Sequence, residues 1–149
     1  MFKLRDRCKD FFSEIRSQTE LRTDFDTYYL CAMIGLLQCE RTDPNSYGDN
    51  VNVFTDNFTK EYNETRYTII ALMVCAEAKK RGIDLDEKSS MVRLFEEMTD
   101  PNTQSRLSTA GAEALNAYAS GGFDVINKHF DEKPRSLPNF LIRYKELLK

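Results

Sequence analysis

Two segments of this chain are apolar on every side, and they narrow the folds open to it more than any other feature. They are Tyr28-Tyr29-Leu30-Cys31-Ala32-Met33-Ile34-Gly35-Leu36-Leu37 and Ile69-Ile70-Ala71-Leu72-Met73-Val74-Cys75-Ala76. A helix without a polar face belongs at the centre of a bundle, unless a partner chain covers one side. The longer run is about half of what a membrane span requires, so both predict core and not anchor. Thr23 or Asp24 can cap the first, and Asp24 and Asp26 place negative charge at its positive dipole end, predicting a helix over about 24–40. Lys79, Lys80 and Arg81 sit against the negative end of the second, Gly82 can take the left-handed cap and Ile83 can fold back, predicting a helix over about 63–81. Gly35 costs up to about 1 kcal/mol against alanine in a helix interior, which points to a close helix crossing.

The remaining elements follow from periodicity. Leu4, Cys8, Phe11, Phe12 and Ile15 recur at three- and four-residue steps and predict a first helix over about 2–17. Residues 41–57 hold Pro44, Asn45, Ser46, Gly48, Asp49 and Asn50, turn formers that predict an irregular loop, with Val51, Val53 and Phe54 as a brief extended piece. Asp84 and Glu87 have capping-box spacing for a fourth helix, whose stripe is Met91, Leu94, Phe95 and Met98. A fifth helix over about 108–120 stops at Gly121-Gly122, and a sixth covers 123–130. Pro138 opens the last, with Phe140, Leu141, Tyr144, Leu147 and Leu148 on one face. The expected architecture is an all-α, single-domain bundle spanning residues 1–149, of about six or seven helices around the two apolar ones. A chain of 149 residues, 41% apolar and 30% charged, suits one globular domain.

Several activities are disfavoured by what is missing. Cys8, Cys31, Cys39 and Cys75 contain no Cys-x-x-Cys pair, and His129 is the only histidine, so no zinc site is expected. The same scarcity weakens any serine or cysteine nucleophile that needs an imidazole base. Neither phosphate-loop pattern occurs; Gly121-Gly122-Phe123 before a helix is explained more simply as a corner than as an anion site. Asp43-x-Asn45-x-Tyr47-Gly48 imitates the start of a calcium loop, but Phe54 stands where the bidentate carboxylate belongs. Asp24/Asp26 and Glu96/Glu97 point apart on a helix and do not converge for acid–base work. The expectation is therefore no enzyme, no metal and no cofactor. Lys3, Arg5, Asp6 and Arg7 directly after Met1 predict no secretory signal, and the cysteines read as reduced thiols, so the expected location is the cytoplasm, with no membrane partner.

Charge is uneven beneath a net value of -3. Both ends are basic, and the middle is acidic through Asp84, Asp86, Glu87, Glu96, Glu97 and Asp100. The leading expectation is a non-enzymatic accessory or adaptor protein, acting through helical contacts with another subunit of a larger, bacterial assembly or as a homo-oligomer. Candidate protein-binding residues are Phe140, Leu141, Tyr144 and Leu148 on the last helix, together with the polar cluster Arg22, Asp24 and Asp26. The alternative is a small nucleic-acid-binding subunit using Lys3, Arg5, Arg7, Lys9, Lys128, Lys133, Arg135, Arg143 and Lys145 on phosphates, should the two termini meet.

Overall fold

The computed structural model describes residues 1–17, 21–46 and 48–149. In chain order the elements are β1 (Phe2–Arg5), α1 (Asp6–Phe11), α2 (Asp24–Gln38), β2 (Val51–Thr55), α3 (Arg66–Arg81), α4 (Lys88–Met98), α5 (Thr109–His129) and α6 (Leu137–Leu147). Short 3-10 turns cover Ile15–Ser17 and Lys60–Tyr62. Helix dominates, but the all-α expectation needs correcting for a small antiparallel sheet in which Lys3 faces Val53 and Arg5 faces Val51. The expected first helix over 2–17 is thus a strand, a short helix and a turn. Phe2 and Leu4 are buried on either side of Lys3, a period of two that the longer helical spacing from Leu4 to Ile15 conceals. The side chains expected inside, Leu4, Cys8, Phe11, Phe12 and Ile15, are all buried.

The centre of the molecule is α2 lying along α5, and not α2 against α3 as the two apolar runs suggest. Glycine decides this. A β-carbon at Gly35 would stand 1.9 Å from the Tyr118 carbonyl oxygen, and one at Gly122 would stand 1.8 Å from the Cys31 carbonyl oxygen. Only hydrogen fits between backbones that close, so the close crossing at Gly35 is real and its partner is α5. Gly121-Gly122 therefore does not end a helix. The pair lies inside a continuous α5, where tight packing against α2 and intact helical hydrogen bonds outweigh the glycines' low propensity.

Side chains cap the starts of α2, α5 and α6. Thr23 accepts from the Asp26 amide while Asp26 accepts from the Thr23 amide, a reciprocal cap on α2. Gly82 adopts φ 70° after α3, and the Ile83 amide reaches back 2.9 Å to the Ala78 carbonyl. The expected Asp84–Glu87 box is absent: Asp84 instead accepts from the Asp86 amide in the turn, and Glu87 accepts from the Ser90 hydroxyl. Packing is strongly aromatic. Phe2, Phe25, Tyr28, Phe54 and Phe58 cluster at one end, Phe11, Phe12, Phe123, Phe130 and Phe140 at the other. No helix among the described residues is long and apolar enough to cross a membrane.

Candidate functional site

The feature with no structural explanation of its own lies between α3 and α4. The two helices form a hairpin whose turn carries Leu85, and α4 turns Leu94 and Met98 into the core. Its other apolar side chains are not consumed there. Leu85, Val92 and Phe95 are 48%, 48% and 49% exposed, and with Val74 and Met91 they line an open groove of about 630 Å³. Asp86, Glu96 and Lys88 complete the lining, and Asp84 and Glu87 are exposed in the adjoining turn. Contiguous exposed apolar surface with a charged rim is how monomeric proteins mark contact sites, whereas scattered exposed leucines mean little.

A charged cluster ties the hairpin to α5. Glu77 is buried on α3, accepts a 2.9 Å hydrogen bond from the Tyr118 hydroxyl on α5, and pairs with Arg41 and, at 3.3 Å, with Arg81. Arg81 grips Glu97 on α4 through two nitrogens, at 3.2 and 2.7 Å. This grip holds the Glu97 carboxyl below its ordinary range. Burial, reinforced by the bond to Glu77, pushes the Tyr118 hydroxyl well up. Both Glu77 oxygens are engaged, so the cluster fastens α3, α4 and α5 together.

The residues singled out from sequence are distributed as follows. On α6, Phe140 and Tyr144 face inward; Phe140 packs on Phe12 and Phe130, and the Tyr144 hydroxyl donates to the Leu30 carbonyl at 2.7 Å. Leu141 and Leu148 remain outside. Asp24 pairs with Arg16 and, at 3.8 Å, with Lys9. Asp26 accepts from the Arg22 and Thr23 amides and from the Tyr62 hydroxyl, so this cluster anchors the start of α2.

The two basic termini do meet. Lys133 lies 3.2 Å from Asp10, and Arg135 lies 4.0 Å from Glu14. The cations are interleaved with acids, however. Arg5 is buried, donating to Ser120 and Asp124 beside Asp49, and Arg143 reaches Glu146. Lys3 lines a separate cleft with Arg41, Asp43 and Glu113. Arg7, Lys128 and Lys145 are exposed.

His129 lies 3.4 Å from Glu146 at the end of α5. Asp43 makes a local turn by accepting from the Asn45 amide, while Tyr47 of the calcium-like pattern falls outside the described residues. Among the described residues no group of three or more histidine, cysteine or carboxylate side chains is arranged to hold a metal.

No family model, no curated protein and no solved structure matches this chain. What the groove does has to come from its own chemistry. Sequence reasoning passes over the groove because Met91, Leu94, Phe95 and Met98 read as one core stripe. The missed signal is Val92, which widens the apolar arc of an eleven-residue helix beyond what the core uses. Glu77 was legible too: Ile70, Met73, Val74 and Glu77 share one helical face, so a carboxylate there is directed inward.

Proposed function

We propose that this chain is a non-catalytic protein-binding module, and that its α3/α4 groove takes an amphipathic helix carrying basic side chains. The observation that carries this is the convergence of half-exposed Leu85, Val92 and Phe95 on one groove. Covering the exposed half of each is worth roughly 1 kcal/mol, and a helix laid into the groove covers all three together. The lining holds two carboxylates, Asp86 and Glu96, against Lys88, and Asp84 and Glu87 extend the negative side. Such a rim favours lysine or arginine flanking the apolar anchors and speeds their encounter. The nucleic-acid alternative takes second place, because five of the nine terminal cations it needs, Arg5, Lys9, Lys133, Arg135 and Arg143, lie within 4.0 Å of a carboxylate.

Fluorescence polarisation with two labelled amphipathic peptides of one helical pattern, leucine/lysine and leucine/glutamate, tests the proposal. The leucine/lysine peptide is expected to bind, and Val92→Asp with Phe95→Asp to weaken it by at least about tenfold, or 1.4 kcal/mol, with helical content unchanged. Binding that ignores those substitutions, or that is equal for both peptides, overturns it.

A further inference from the structure

Resting on that docking role for the groove, we infer that its occupant is α6 of a second copy of this chain. The outer face of α6 has the chemistry the groove selects. Leu141, Ile142 and Leu148 are 44%, 67% and 46% exposed, and exposed Lys145 lies among them. At 3.6 residues per turn these four fall within about a third of the helix circumference, turned about 80° to 200° away from the buried Phe140. Lys149 follows immediately and is also exposed. Apolar anchors with lysines therefore stand on α6, and apolar walls with carboxylates stand on the α3/α4 hairpin.

Within one copy the two surfaces are kept apart. The hairpin is tied to the start of α5, where Gly111 sits against the Met98 carbonyl. α6 is tied just beyond its end, through Phe130 stacked on Phe140 and the Arg143 side chain bonded to the His129 carbonyl. From there α6 packs along α2, with the Tyr144 hydroxyl on the Leu30 carbonyl and the Gln38 side chain on the Leu147 carbonyl, and both surfaces stay exposed within one copy. The inferred contact joins different patches on the two copies, head to tail. Each copy keeps one groove and one α6 face free for the next, so assembly grows as a chain or closes as a ring.

Sedimentation velocity over a concentration series tests this with the full chain, a groove variant (Val92→Asp with Phe95→Asp) and an α6 variant (Leu141→Asp with Ile142→Asp). The wild type is expected to grow past the dimer. Each variant alone is expected to be monomeric, and an equimolar mixture to form a heterodimer that stops at two, because one variant only donates and the other only accepts. Should either variant lose its helical content, Lys145→Glu serves as the donor lesion, with Glu96→Lys restoring assembly. A monomeric wild type, a dimer that never grows, or variants that fail to pair when mixed overturns the inference. A monomeric wild type that still binds the leucine/lysine peptide through Val92 and Phe95 removes the second copy as occupant and leaves the docking role standing; loss of both removes both.

Discussion

At Gly122 a single methyl group decides whether α2 and α5 can touch. Its β-carbon would meet a backbone carbonyl, which cannot rotate away as a side chain would. Gly122→Ala is expected to cost at least about 3 kcal/mol in urea unfolding, at the upper end of overpacking effects. Gly82→Ala meets no atom within 4 Å and violates only the positive φ, so about 1 kcal/mol is expected there. Glu77→Gln keeps the shape but removes the charge facing Arg41 and Arg81. Because both arginines stay partly exposed, the expected loss is about 2 kcal/mol, less than for a fully buried pair.

The tyrosines set the alkaline limit. Burial pushes the hydroxyls of Tyr28, Tyr62, Tyr118 and Tyr144 above their usual value, and bonds to Asp26 and Glu77 add to this for Tyr62 and Tyr118. Folded values above the unfolded one mean that their contribution is complete below about pH 10 and is lost as the pH rises further. Exposed Tyr67 is shifted the other way by a hydrogen bond from Arg66. Absorbance titration is expected to show Tyr67 ionising first, and buried Tyr28, Tyr118 and Tyr144 with half-buried Tyr62 only together with loss of helix. Smooth ionisation of all of them in a folded protein contradicts this.

Among the elements, the small sheet is tied to α5 by Arg5, through Ser120 and Asp124, and by Asn116. Asn116, buried on α5, accepts from the Lys3 amide at 3.0 Å and the Tyr28 hydroxyl at 2.8 Å, and donates to the Met1 carbonyl at 2.9 Å. It therefore fixes β1 against both central helices. Asn116→Ala leaves two buried donors without it and is expected to cost about 2 kcal/mol. Hydrogen exchange should quicken in residues 2–5 and 51–55 and stay slow in α2; unchanged protection in the sheet contradicts that tie.

Elements were legible in the sequence where a local device sets them. The Thr23 cap, the Gly82 reversal and the Pro138 start of α6 depend on neighbouring residues, and the extended piece at Val51, Val53 and Phe54 shows in their alternation. Elements that depend on distant ones were not. Gly121-Gly122 reads as a break until α2 is known to lie against it, and Phe2–Arg5 reads as helix until β2 supplies its hydrogen bonds. Apolar content alone could not say which rods touch, because α3 buries Ile69, Ile70, Met73 and Val74 yet leaves Tyr67 and Leu72 outside.

On the scale of the whole molecule, charge and apolar surface are sorted differently. The termini join in space and bring cations beside acids, as Lys133–Asp10 and Arg135–Glu14 illustrate. Exposed apolar side chains gather in threes in the α3/α4 groove and on the outer face of α6, while Met1, Leu37, Val53, Tyr67 and Leu72 are exposed elsewhere. Sequence reasoning placed the last helix at a contact but credited Phe140 and Tyr144, which the core uses, along with Leu141 and Leu148, which it does not. Helical periodicity gives a stripe without saying which edge faces inward. The most direct measurement is a methyl NMR spectrum of the full chain, recorded as protein concentration is raised and again with the leucine/lysine peptide. Methyl groups of Leu85, Met91 and Val92 are expected to shift in both series while those of core residues Met73 and Leu115 hold still; groove methyls that respond to neither would contradict a docking role for this face.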